Sequence, residues 1–195
     1  MNIGVVNMTG TREGIKYIIE ALTDLEYIPI IFDYTTEEDI FNIISMSNIK
    51  NWIFSGSPHM VIDTNVPIVP LEIFNLSDKK FMLICYSMES VLYQLGFPVK
   101  KRFENKKEKF ILTIDMKKVN NINKTNIFTG LSNKLIMRRN HHYYIPSNII
   151  DNNMELVSSY RKESMLIFYR NSILVQFHPE RTPDGYKIIK NWIIN

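Results

Sequence analysis

Residues 81–96 read Phe-Met-Leu-Ile-Cys-Tyr-Ser-Met-Glu-Ser-Val-Leu-Tyr-Gln-Leu-Gly, and no other stretch limits the fold so strongly. Residues 81–84 are a continuous apolar run, as in a strand covered on both faces. Met88, Val91, Leu92 and Leu95 then recur at helical spacing, and Gly96 is placed to stop the helix. The change from strand to helix falls at Cys85. A cysteine at such a junction sits on a nucleophile elbow. The abrupt turn lifts the sulfur out of the sheet, and the helix N-terminus behind it favours the thiolate. Cys85 is the only cysteine of the chain. The alternative reading is a small buried hydrophobe.

The elements around this stretch follow from periodicity. Residues 3–7 read as a first strand, and Thr9, Gly10 and Thr11 form a loop able to cap the next helix. Ile15, Ile18, Ile19 and Leu22 mark that helix. Residues 27–32 are a second strand. Thr35, Thr36, Glu37 and Glu38 resemble a capping signal before Ile40, Ile43 and Ile44. Residues 52–54 are a third strand, ending in Ser55, Gly56, Ser57 and Pro58. Strand and helix thus alternate through the first half, which predicts an α/β domain with a mostly parallel sheet and helices on both faces. In such sheets the site lies at the carboxyl ends of the strands. Both the 55–58 loop and Cys85 fall there.

The second half reads differently. Residues 110–114, 135–137, 154–159, 165–169 and 173–177 are strands with short connections, expected as an antiparallel or mixed extension of the same sheet. Residues 183–194 close the chain as a helix, with Tyr186, Ile189 and Trp192 or Ile193 inward. The Asn-rich residues 119–126 read as a polar surface loop. Residues 100–109 hold six basic and two acidic side chains. They read as a solvated hairpin turn or as a docking patch for an acidic partner or anionic substrate.

With 195 residues, 45% hydrophobic and 22% charged, the chain fits a single domain over residues 1–195. A net charge of +3 does not indicate nucleic-acid binding. A lone cysteine forms no intramolecular disulfide, and the first residues lack the basic and apolar regions of a signal peptide. No apolar run is long enough to span a membrane. A soluble, cytoplasmic protein is the expectation. One cysteine and four histidines lack the spacing of a structural zinc site, so no metal is expected.

The second chemical landmark is Phe177, His178, Pro179 and Glu180, directly after a strand. Residues two apart in extended chain project from the same side. Glu180 can therefore hold one nitrogen of His178 and leave the other for a thiol.

Together these stretches resemble the class I, triad-type glutamine amidotransferase family. That family carries an elbow of form G-x-C-x-G-x-Q, a late F-H-P-E and an S-G-G-P-type loop. The counterparts are Leu83, Cys85, Ser87 and Glu89; residues 177–180; and Ser55, Gly56, Ser57 and Pro58. Asn140, His141, His142, Tyr143, Tyr144 and Ile145 are similar to the family's N-H-G-[FY]-x-V stretch. The resemblance implies a flavodoxin-like three-layer sandwich. It also implies a reaction in which Cys85 attacks the glutamine amide, His178 moves the proton and Glu180 orients it. Ser57 and Tyr86 would form the oxyanion hole. Gly56, Glu89, Asn140, His141, His142 and Tyr143 would bind substrate. No cofactor is implied. The ammonia would pass to a separate synthetase partner. The elbow and serine-glycine loop lean toward the GMP-synthetase-subunit type, and Asn140 with His141 toward the carbamoyl-phosphate type.

The departures keep two further readings open. Glu89 in place of Gln, beside His141 and His142, is also similar to the γ-glutamyl hydrolase branch. Leu83, Ser57 and Ser87 in place of glycines motivate a catalytically silent pseudo-enzyme or regulatory subunit. Arg138 and Arg139 are expected in solvent, one of them available to an acidic substrate.

Overall fold

The computed structural model describes residues 1–102, 108–119, 125–149 and 154–195. Among these residues, four helices and eleven strands follow in chain order. The first half contains β1 (Asn2–Asn7), α1 (Lys16–Asp24), β2 (Ile28–Asp33), α2 (Glu37–Met46), β3 (Asn51–Phe54), β4 (Lys80–Ile84) and α3 (Tyr86–Gln94). The second half contains β5 (Lys100–Lys101), β6 (Glu108–Thr113), β7 (Lys134–Arg139), β8 (Tyr143–Tyr144), β9 (Glu155–Tyr160), β10 (Glu163–Tyr169), β11 (Ser172–Val175) and α4 (Pro183–Ile194).

Seven strands form the central sheet in the order β2-β1-β3-β4-β11-β10-β9. The first five are parallel, and β10 runs antiparallel to both of its neighbours. Alternation along β4 divides the core. Met82 and Ile84 pack with Ile18 and Leu22 of α1 and Ile189 and Trp192 of α4. Phe81 and Leu83 pack on the other face with Ile40 and Ile44 of α2 and Val91 and Leu92 of α3. The result is the expected three-layer α/β sandwich.

Local signals act as the sequence suggests. Thr36 caps α2 by accepting from the Asp39 N–H at 3.1 Å. Thr11 accepts from the Gly14 N–H at 3.3 Å, ahead of α1. Gly96 ends α3 with φ +89°, a backbone region open to glycine.

One strand assignment is corrected. β6 and β7 do not join the central sheet but pair with each other as a two-stranded sheet. Phe110, Leu112, Leu135 and Met137 face the core, whereas Ile111 and Ile136 lie opposite each other in register and are exposed. Strands with one wet face cannot sit between two helical layers, so the hairpin lies over the α1/α4 side instead. Of the two polar stretches singled out above, residues 103–107 and 120–124 lie outside the described residues. Lys100, Lys101 and Lys109 are exposed, as the solvated-turn reading expects, but Arg102 departs from it. Its Nη1 lies 3.2 Å from the buried Glu163 Oε2, and its side chain is only 10% exposed.

The closing helix bears directly on the site. Thr182 caps α4 by accepting from the Gly185 N–H at 3.2 Å. A Cβ at residue 185 would lie 2.0 Å from the Pro179 carbonyl oxygen. Gly185 is therefore what lets α4 abut the single 3₁₀ turn Pro179–Arg181. Gly185→Ala is expected to lower stability by about 1–3 kcal/mol through overpacking against backbone, read as a lower urea midpoint.

Candidate active site

Three segments meet at the carboxyl ends of β3, β4 and β11. Cys85 follows β4 with φ 53° and ψ −109°, a strained conformation for a residue with a side chain. It is held from both sides. Its N–H donates to the Val175 carbonyl at 2.7 Å, and its carbonyl accepts from the Glu89 N–H in the first turn of α3 at 3.1 Å.

The loop after β3 is fixed by hydroxyls. Ser55 Oγ accepts from the Met8 N–H and donates to the Gly56 carbonyl, both at 2.9 Å. Ser87 Oγ donates to the Ser55 carbonyl at 2.5 Å, which ties this loop to α3. The serine at the second elbow position thus forms a strut. Leu83, at the first, is fully buried in the α2/α3 layer. Ser57 is not among the residues with positive φ, so its Cβ meets no backbone penalty.

His178 and Glu180 come together, but not as two residues of an extended strand. β11 ends at Val175, and Glu180 lies in the 3₁₀ turn. The turn, not strand alternation, sets His178 Nδ1 2.7 Å from Glu180 Oε1. The His178 N–H donates to the Arg138 carbonyl at 2.8 Å. His178 Nε2 is buried without a hydrogen-bond partner among the described residues. Gly56 lies close to both Cys85 and His178. A Cβ there would be 3.5 Å from both Cys85 Cβ and His178 Cε1.

The thiol does not rest as a thiolate. Burial pushes its proton affinity well above the ordinary range and the nearby Glu89 adds to this, while the Tyr86 N–H at the helix start works in the other direction. Desolvation thus outweighs the helix N-terminus. Sγ lies 4.0 Å from the Asn140 carbonyl and 3.8 Å from Gln176 Nε2.

Glu89 is buried as well. Gln176 Nε2 donates to its Oε1 at 2.7 Å, and burial pushes its pKa up to about 8. Gln176 escaped the sequence reading. Its signal was a polar residue two positions before His178, directly after the apolar run 173–175. The Tyr86 phenol donates to the Pro67 carbonyl at 2.7 Å.

The 140–143 segment covers the site. His142 and Tyr143 border the cavity, and the Tyr143 hydroxyl lies 2.7 Å from Met60 Sδ. His141 turns partly inward, with Nε2 3.1 Å from Glu163 Oε2. Its burial lowers its proton affinity. Glu163 also meets Arg102 and Arg139 at 3.2 and 3.4 Å. Arg139 contradicts the expectation of a solvated side chain. It is fully buried, bonds Glu108 as well, and lies over the rings of Phe110 and Tyr160. This charge cluster had no sequence signal, because its members come from four separated segments.

One cavity of about 660 Å³ collects these groups. Gly56, Ser57, Cys85, Tyr86, Glu89, Asn140, His141, His142, Tyr143, His178 and Glu180 all border it. Every site residue expected from the sequence is thus brought to one place.

Comparison with known proteins bears on the family and the fold. The family model described as glutamine amidotransferase class-I matches residues 13–195. A GMP synthase (glutamine-hydrolyzing) of Acetivibrio thermocellus is 29% identical over 154 residues, 77% of this chain and 28% of that protein. The enzyme of the same name from Petrotoga mobilis is 32% identical over 155 residues, 77% of this chain and 29% of that protein. The chain thus spans under a third of the length of these relatives. Among solved structures, a Thermoplasma acidophilum protein named for a GMP synthase subunit has a TM-score of 0.72 at 19% identity, covering 99% of this chain and 92% of that one. A chain of PurLQS from Thermotoga maritima has a TM-score of 0.68 at 15% identity, covering 99% and 98%. Similarity at this level of identity concerns the fold, while the family model spans nearly the whole chain. With the alternating α/β order and the elbow cysteine, it establishes that the chain belongs to the class I glutamine amidotransferase family.

Proposed function

We propose that this protein hydrolyses the side-chain amide of glutamine through a Cys85 thioester and supplies ammonia to a separate synthetase. The observation that carries this reading is the pairing of a strained strand-end cysteine with a histidine whose Nδ1 is held by Glu180 at 2.7 Å and whose buried Nε2 has no partner among the described residues. In the proposed sequence, His178 Nε2 takes the thiol proton as Sγ attacks the amide carbon. The developing oxyanion is met by the N–H groups of Ser57 and Tyr86. Collapse breaks the C–N bond, and His178 returns the proton to the leaving ammonia. Water, deprotonated by His178, then attacks the thioester and releases glutamate and the thiol.

The high proton affinity of the resting thiol fits this order, since proton transfer then accompanies attack. Against the silent pseudo-enzyme reading stand the packed Leu83, a Ser57 that is not among the positive-φ residues, and a Ser87 that holds the loop. The relatives named GMP synthase motivate a synthetase of that class as the ammonia acceptor. A γ-glutamyl peptidase is the second reading. It draws on a cavity of about 660 Å³, within the range that takes drug-sized ligands.

Intact mass after incubation with a diazoketone analogue of glutamine tests the proposal. One adduct is expected on the wild type and none on Cys85→Ser. No adduct, together with cleavage of γ-glutamyl peptides, would transfer the assignment to the second reading.

A further inference from the structure

The proposed reaction leaves unexplained why a carboxyl group, Glu89, is buried beside the nucleophile. Glu89 is 4% exposed, borders the cavity and belongs to the first turn after Cys85. Its Oε1 is taken by the Gln176 amide N–H at 2.7 Å, which leaves Oε2 for the cavity. A buried carboxylate without a cationic partner is costly, and a protonated one is not. Gln176 helps choose between the two oxygens, because its amide nitrogen only donates and so requires an accepting oxygen at Oε1.

We propose that Glu89 serves as a neutral carboxylic acid: Gln176 fixes one of its oxygens as an acceptor, and the other carries the proton and donates a hydrogen bond to an oxygen of the substrate. This rests on the glutamine reading above and adds a regulation of the same site. In the neutral form Glu89 presents the pattern an amide would, one acceptor and one donor. In the ionised form it loses the donor, repels a substrate carboxylate and opposes formation of the Cys85 thiolate. Alkaline pH therefore switches the site off.

Burial pushes the Glu89 pKa up to about 8, and the bond from Gln176 opposes this only in part. The titratable neighbours that feel its charge are Cys85 and Tyr86 on its own turn. From the segment after β11 the neutral Gln176 amide faces it, and His178 and Glu180 border the same cavity further along. Across the cavity stands His141, engaged with Glu163.

Glu89→Gln keeps the shape, accepts the same bond from Gln176 and cannot ionise. Two measurements on the full chain compare it with the wild type. The first is the rate of labelling by the diazoketone glutamine analogue from neutral to alkaline pH, where taking the ratio of the two proteins cancels the reagent's own pH dependence. The ratio of variant to wild type should be flat at neutral pH and then grow about tenfold per pH unit above the Glu89 midpoint. The second is the urea midpoint as a function of pH, which needs no ligand. The folded-state pKa of about 8 lies above the ordinary 4.5, so the native protein binds more protons than the unfolded chain between these values. Stability from this group is present below about 4.5 and lost as pH rises through about 8, so the wild-type midpoint should fall relative to the variant across that window.

Parallel labelling profiles in the two proteins would overturn the proposal and leave the glutamine reading intact. So would a Glu89→Gln protein that fails to fold, since a neutral amide would then be no substitute. If the urea difference appears but the wild type never labels, glutamine is not the ligand. The donor role then falls with it.

Discussion

Cys85→Ala is expected to reduce glutamine turnover by at least about 10³-fold, with His178→Ala close behind, because nucleophile and base act as one unit. In the proposed reaction neither can be spared. The resting thiol is protonated and buried, so it gains nucleophilicity only when a base removes its proton. His178 Nε2 is a buried nitrogen without a partner among the described residues, and both His178 and Cys85 lie against Gly56. Glu180→Gln should cost less than either. A Gln oxygen can still accept from Nδ1–H at the 2.7 Å position, which preserves the tautomer, but it cannot stabilise the imidazolium. Steady-state ammonia release from the three purified variants, each checked for an unchanged urea midpoint, measures these losses. Turnover surviving in Cys85→Ala would reject the nucleophile assignment outright.

Glu163→Ala is expected to have the largest effect on stability, a loss of about 3–5 kcal/mol. Glu163 Oε2 is shared by Arg102, Arg139 and His141 at 3.1 to 3.4 Å. Arg139 is fully buried, so removing the carboxylate leaves a guanidinium with too little compensation in an apolar layer made of Phe110 and Tyr160. The loss should reach the site as well. His141 is anchored to Glu163, and its neighbour Asn140 presents the carbonyl that faces Cys85 Sγ at 4.0 Å. Lower kcat with a lower urea midpoint is therefore the expected pair of results. Replacing Glu163 and Arg139 together by Met should recover part of the stability, because the penalty lies in a buried guanidinium left with Glu108 alone. Equal midpoints for the single variant and the wild type would show that the cluster is solvated in solution.

Much of the fold was legible because the signals are local. The both-face apolar run of β4, the Thr36 cap and the Gly96 stop each depend on a few neighbouring residues, and each appears where the spacing put it. The motif residues were legible for the same reason. Ser57 and Cys85 come from separate segments, yet each follows a central strand whose carboxyl edge the α/β order already assigned to the site, whereas Asn140 arrives from β7 of the separate two-stranded sheet. Among the described residues, no helix is long and apolar enough to cross a membrane, in line with the short apolar runs of the sequence.

The exceptions share one cause. β6 and β7 carry apolar runs like the central strands, but whether Ile111 and Ile136 face a partner or water depends on what lies above them. Arg139 looks like a surface residue until Glu163 and Glu108 arrive from other strands to neutralise it. The elbow suggested a thiolate from one favourable backbone group, whereas the tertiary structure added the burial that reverses the balance. Sequence alone determined the order of elements, the edge of the sheet that bears the site and the identities of Cys85, His178 and Glu180. Only the tertiary structure decided which charges are buried, which protons stay on, and how Gln176 and Ser87 hold the site. Secondary structure and chain topology are set by neighbours along the chain. Desolvation and pairing are set by neighbours in space, and these come from segments the sequence does not mark as adjacent.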